Sequence, residues 1–187
     1  MTVVRYGAIN ARLVTRARTF GQDMVRWYAN EGRDSPSRAC SGVWGAESDP
    51  VRQGQGKAGE CSVAQYYGLD PLRAVKWTIG TADDGADITL PRGARLDVKT
   101  TESWKKYFIW PKSINHLYQQ KKFDFLVGVS IDEHDWRWCF IDGYLTKQQF
   151  LERRKIADGV VGKGLAPDTW FVFKTELQDA LELERLL

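Results

Sequence analysis

The stretch Asp87–Thr101, DITLPRGARLDVKTT, decides how this sequence is read. Along an extended chain from Arg95, the side chains of Arg95, Asp97, Lys99 and Thr101 share one face, and Leu96 and Val98 share the other. The run before it alternates in the same way, with Ile88 and Leu90 apolar and Asp87 and Thr89 polar. Matching the apolar faces of an antiparallel pair sets Ile88 opposite Leu96, and therefore Asp87 opposite Asp97. Pro91-Arg92-Gly93 is left as the loop, with proline at the first position of a type I turn and glycine at the left-handed position that follows it. Turn chemistry and face pattern thus agree on one hairpin.

Two carboxylates opposed in this way, with β-carbons about 5 Å apart, repel and weaken the sheet unless something neutralises them. A divalent cation is the expected neutraliser, and hard oxygen ligands favour Mg2+, with Mn2+ as a substitute. Lys99 projects from the same face, where its ammonium would orient or help deprotonate a water, or offset charge growing on a phosphate. An isolated Asp-x-Lys is usually just a solvated strand face with an ordinary ion pair. Here the triplet is the only Asp/Glu-x-Lys in the chain and sits where a second aspartate is brought opposite, which favours a site.

Outward from the hairpin, AVKWTI (74–79) reads as a short strand, and GKAGECSVAQYYGLD (56–70) as a helix beginning near Lys57 and stopped by Gly68. Glu60 on that helix is the candidate for a further carboxylate, set beside Ala58 and Gly59, which allow close approach to the sheet. An exposed acid near a helix N-terminus is the alternative. Downstream, SINHLYQQKK (113–122) reads as a helix, FDFLVGVSID and WRWCFIDGYL as strands joined by the polar turn IDEHDW, WFVFK as a strand, and ELQDALELERLL as an amphipathic helix. Upstream, residues 12–31 carry a helical spacing of Leu13, Phe20, Met24, Val25 and Trp27 up to Gly32, and the Gly/Ser/Pro-rich stretch after it reads as a long loop. This order predicts an α/β domain with a mixed central sheet flanked by helices, with residues 1–55 as an N-terminal helical and loop extension and 56–187 as the core plus a C-terminal strand and helix.

Composition narrows the classes. A chain of 187 residues with 43% hydrophobic positions supports one good core. No apolar run approaches the roughly 18 residues of a membrane helix, and MTVVRYGAINAR lacks the apolar block of a secretory signal, so a cytoplasmic protein is expected. Cys40, Cys61 and Cys139 are too scattered for a disulfide framework, and His116 and His134 are not spaced as zinc ligands. The net charge of +3 permits a polyanionic partner without demanding one. GVVGKG around Lys163 lacks the spacing of a phosphate-cradling loop, so a plain flexible loop is expected there.

The hairpin, the Asp97-Val98-Lys99 triplet and the helix bearing Glu60 together resemble the PD-(D/E)XK nuclease superfamily, over roughly half of the chain, about residues 56–145. The resemblance implies a restriction-endonuclease-like core of order αβββαβ and Mg2+-dependent hydrolysis of phosphodiester bonds in DNA, most simply by endonucleolytic cutting of double strands. It assigns Asp87 to the first acidic position and Asp97 and Lys99 to the triplet. It further implies that Glu60 joins the metal site and that the backbone carbonyl of Val98 contacts the metal. The chain departs from the pattern in having Ala86 rather than proline before Asp87, and Asp83 and Asp84 are rival ligands. An exonuclease, a junction resolvase and a non-catalytic nucleic-acid-binding protein of the same fold are the alternatives, and compact nucleases of this kind are similar to those of phages and mobile elements. Monomer and homodimer both stay open.

For such a substrate, Lys105, Lys106 and Lys112, interleaved with Trp104, Tyr107 and Trp110, are the candidate phosphate contacts, together with Thr101 on the face of Lys99 and Lys121 and Lys122 farther on. Core packing is an equally good account of Trp104 and Trp110. The basic groups Arg12, Arg16 and Arg18, and Arg153, Arg154 and Lys155, read as solvated faces.

Overall fold

The computed structural model describes residues 5–32, 49–80, 85–110, 118, 120–158 and 168–187. Asp83, Asp84, Lys112, His116 and Lys163, and most of the expected helix 113–122, lie outside these residues.

The deciding hairpin forms as its residues dictate. Strands β2 (Ile88–Thr89) and β3 (Arg95–Glu102) pair antiparallel, Ile88 with Leu96 and Thr89 with Arg95. The turn closes through Leu90 N donating to Ala94 O at 2.8 Å and Gly93 N to Leu90 O at 2.8 Å, with Gly93 at φ 90°. That backbone angle is open to glycine at little cost, which is why this loop length holds this register.

Around the hairpin a five-stranded mixed sheet assembles in the order β1-β6-β5-β3-β2, from β1 (Arg5–Ala8), β5 (Phe125–Ile131) and β6 (Trp138–Thr146). Among the described strands of this sheet β3 and β5 run parallel and the other pairs antiparallel; Asp97 lies beside Leu126 and Lys99 beside Gly128. The β5–β6 connection is the expected polar turn, with Asp132 Oδ1 accepting from His134 N and Asp135 N. A second, three-stranded sheet, β4-β8-β7, joins β4 (Tyr107–Trp110), β7 (Lys155–Ile156) and β8 (Trp170–Phe173).

Helix α1 (Ala11–Asn30) starts at Asn10, whose side chain accepts from Leu13 N, and ends at Gly32 with φ 63°. Helix α2 (Asp49–Tyr66) covers the apolar face of β3: Leu96 and Val98 share a core with Ala58, Cys61 and Ala64, and α1 packs along α2 in the same core. The helix begins well before Lys57, so the expected boundary at 55/56 falls inside it. The reason is the use its glycines are put to. A Cβ at Gly54 would come within 2.9 Å of Ala17 O, and one at Gly59 within 2.0 Å of Thr100 Oγ1. Gly54, which reads as loop punctuation, serves like Gly59 as a point of close helix approach.

AVKWTI is not a strand. Asp70 caps the short helix α3 (Pro71–Ala74), and the following residues run as a loop pinned by Lys76 Nζ donating to Ala86 O and Trp77 Nε1 to Pro71 O. The third strand after α2 is instead β4, which pairs with β8 rather than with the hairpin. Helix α4 (Lys147–Arg153), started by a Thr146–Gln149 capping box, and helix α5 (Ala180–Leu186), capped by Asp179, complete the chain. The face of the main sheet opposite α2 is packed by Phe108, Trp110, Tyr118, Phe123, Phe150 and Trp170. Among the described residues no helix is long and apolar enough to cross a membrane.

Candidate active site

Strand alternation puts Asp97 and Lys99 on the aromatic side of β3. Asp97 is 1% exposed. A carboxylate so placed needs donors, and it has two: Tyr118 Oη donates to Oδ2 at 2.8 Å and Lys121 Nζ to Oδ1 at 3.0 Å. Lys99 Nζ donates to the same Tyr118 oxygen at 3.1 Å and lies 5.6 Å from the Trp110 ring centroid and 5.3 Å from that of Tyr118. Trp110 is thereby both core and lysine platform. Burial, followed by the charges of Asp97 and Asp87, holds the Tyr118 phenol well above its ordinary pKa, so it stays a donor.

Asp87 stands immediately before β2. Its N–H donates to Leu96 O at 2.9 Å, and its Oδ2 accepts from Val98 N at 2.7 Å. The ladder leaves it next in line to face Asp97, as the register predicts, while its carboxylate is turned onto the outer edge of β3, taking an amide that a longer β2 would have paired. Burial pushes Asp87 well above the ordinary carboxylate range; the charges of Glu60 and then Asp97 push it further, and Lys121 and Lys57 partly offset them.

Glu60 reaches the same electrostatic neighbourhood from α2. It is 7% exposed, and both its oxygens accept from Lys57 Nζ, at 2.9 and 2.7 Å. Burial and the Glu60 charge raise the neighbouring Cys61 thiol to about 12, which leaves it inert at neutral pH. Carboxylates from a helix, Glu60, and a central strand, Asp97, therefore both act on Asp87 at the edge, and the donor set is all oxygen. That set suits a hard divalent ion. Among the described residues no three His, Cys, Asp or Glu side chains are drawn together into a ready-made cage; Lys57 on Glu60 and Lys121 on Asp97 supply the compensating charge.

The other candidates divide. Thr101 is half-buried on the face of Lys99, and the Thr100 hydroxyl is buried against α2 without a hydrogen-bond partner. Lys105 is engaged with Glu102 at 2.6 Å and lies over Trp104, which is 57% exposed; Lys106 is exposed. Both lysines follow the end of β3, and Glu102 is about 17 Å from Asp97 at the rise of an extended strand. They are not brought to the carboxylates. Arg16 and Arg18 are exposed, as expected of a solvated face, and also lie over the Trp77 and Trp136 rings, while Arg154 is partly buried over Trp170.

Lys57 and Tyr118 were not singled out by sequence reasoning, and Lys121 was assigned to phosphate. Lys57 was within reach of it, since a lysine three residues before a helical glutamate is an ordinary pair. Tyr118 gave no signal, because its partners lie 19 and 21 residues away. No protein-family model matches the chain, and no curated protein shows significant sequence similarity to it.

Proposed function

We propose that this chain is a divalent-metal-dependent nuclease that hydrolyses phosphodiester bonds in DNA, most simply as an endonuclease on double strands. The observation that carries the reading is that two further buried carboxylates, Glu60 and Asp97, act electrostatically on buried Asp87, with Lys99 on the Asp97 face of the strand. Asp87, Asp97 and Glu60 are the residues that would hold Mg2+, or Mn2+ in its place. When bound, the ion supplies Lewis acidity toward a phosphate oxygen and lowers the pKa of water.

The protein's own residues supply position and charge. Val98 N fixes Asp87 against the strand edge, and Tyr118 fixes one oxygen of Asp97. Lys99 presents an ammonium to a substrate phosphate, where a positioned cation offsets charge that grows in the transition state. Lys121 and Lys57 compensate the acids, and a bound cation would take over that role.

The test is supercoiled plasmid incubated with purified protein and Mg2+. Nicking or linearisation, stopped by EDTA and lost in Asp97→Asn and in Lys99→Met while DNA binding persists, is the expected outcome. Wild-type protein that binds DNA but cuts neither plasmid, linear ends nor branched junctions would leave a binding protein as the correct reading.

A further inference from the structure

The hydroxyl of Tyr118 touches both ends of the Asp97-Val98-Lys99 triplet, at 2.8 Å from Asp97 Oδ2 and 3.1 Å from Lys99 Nζ. The direction of these bonds is unambiguous. An ionised carboxylate only accepts and an ammonium only donates, so the single phenol proton goes to Asp97 and the oxygen lone pair to Lys99. The ring itself is immobilised: it is 2% exposed and makes edge or tilted contacts with Trp110, Phe123 and Phe150 at centroid distances of 6.0, 6.0 and 5.9 Å. Asp97 Oδ2 is thus held by a rigid donor. Its Oδ1 is held by Lys121, whose side chain keeps 20% of its surface exposed and ends a flexible stem, 4.9 Å from the same ring.

From this asymmetry we infer that Tyr118 is a positioning residue: it locks one oxygen of Asp97 so that the other faces an incoming divalent ion in exchange for Lys121, and it sets Lys99 at a fixed distance from that carboxylate. The inference rests on the nuclease reading. A tyrosine serving only as core filler would also bury its ring and satisfy its hydroxyl, so stability alone does not separate the two roles.

Metal binding and catalysis separate them. With Tyr118→Phe, which removes one oxygen and leaves the ring, Mn2+ titrated calorimetrically into the protein without DNA should bind about tenfold more weakly, as expected for loss of a partner that orients a ligand. On plasmid DNA kcat should fall by about 10- to 100-fold with KM within about threefold. Lys99→Met should keep wild-type Mn2+ affinity or bind more tightly, because Tyr118 still holds Asp97. The double variant should lose little more kcat than Lys99→Met alone, since both substitutions break one unit.

Wild-type Mn2+ affinity and kcat in a folded Tyr118→Phe protein, or strictly additive losses in the double variant, would overturn the role of Tyr118 and leave the nuclease reading standing. Wild-type protein that neither binds Mn2+ nor cuts DNA would overturn both. Should Tyr118→Phe fail to fold, Lys99→Met decides: Mn2+ affinity kept is the expected result, and a loss beyond about tenfold would show that Asp97 depends on Lys99 rather than on Tyr118.

Discussion

Two polar clusters are built on the same sheet, and they differ in how the charge of each acid is met. At the far end from Asp97, Ser130 Oγ donates to Asp142 Oδ2 at 2.5 Å, and Lys174 Nζ donates to Ser130 Oγ at 2.5 Å and to the Ser103 carbonyl at 3.2 Å, standing 3.9 Å from Asp142. One acid, one hydroxyl and one lysine satisfy one another there. Burial raises Asp142 and lowers Lys174, as it does for any buried pair, but the pair is closed. At the Asp87 end, Glu60 and Asp97 each have a lysine, Lys57 and Lys121, whereas Asp87, on which both acids act, has among the described residues a backbone amide but no salt bridge. A balanced cluster holds a fold together, whereas a concentration of like-charged hard oxygens is the chemistry of a cation site.

The sharpest way to break this contrast is to neutralise one acid in each cluster. Asp97→Asn should lower the rate of plasmid cleavage by about a thousandfold or more, in the range seen when a group acting on the reacting phosphate is lost. Asp142→Asn should leave the rate per folded molecule within about twofold. Equal losses would mean that both clusters act through the fold alone.

Metal linkage comes next in size. At a concentration of one hundred times its Kd, Mg2+ or Mn2+ should stabilise the wild-type protein by about 2.7 kcal/mol in a denaturant titration, and should leave Asp97→Asn and Asp87→Asn nearly unchanged. An equal response in wild type and variants would place the ion elsewhere.

The balanced cluster gives a complementary prediction. Lys174→Met removes the cation beside Asp142 and the donor to the Ser130 hydroxyl, leaving only the Ser130–Asp142 bond, and should cost about 1–3 kcal/mol, seen as a lower denaturation midpoint with cleavage per folded molecule retained. The smallest effect concerns pH. The folded pKa of Asp87 is raised, so its protonated form is the one the fold favours; without metal, stability should fall as pH climbs from the ordinary carboxylate range through the raised value. Asp87→Asn, which can still accept from Val98 N, should flatten that dependence and melt a few degrees higher than wild type at neutral pH in EDTA. An unchanged slope would show that Asp87 is not the titrating group.

Much of the hairpin was legible because every determinant lay within the fifteen-residue segment quoted at the outset: alternation, turn residues and the left-handed glycine are local properties. Helix α1 was legible for the same reason, with its stop at Gly32. The start of α2 was not, since Gly54 lies in a stretch with the composition of a loop, and only the Ala17 carbonyl and the Trp136 ring that approach it show the need for a missing side chain. Strand β1 and the transfer of β4 to a second sheet were likewise decided by pairing partners 60 or more residues away in the chain.

The opposition of the Asp87 and Asp97 positions, the common face of Asp97 and Lys99, and the α/β character of the chain were determined by the sequence itself, because short-range sterics and the two-residue period of a strand suffice for them. Tertiary structure alone decided that the Asp87 carboxylate turns to the strand edge, that Glu60 acts on it from α2, and that Tyr118 and Lys121 close on Asp97. Those contacts join side chains whose separation along the chain says nothing of their distance in space, and electrostatics in a buried site depends on that distance.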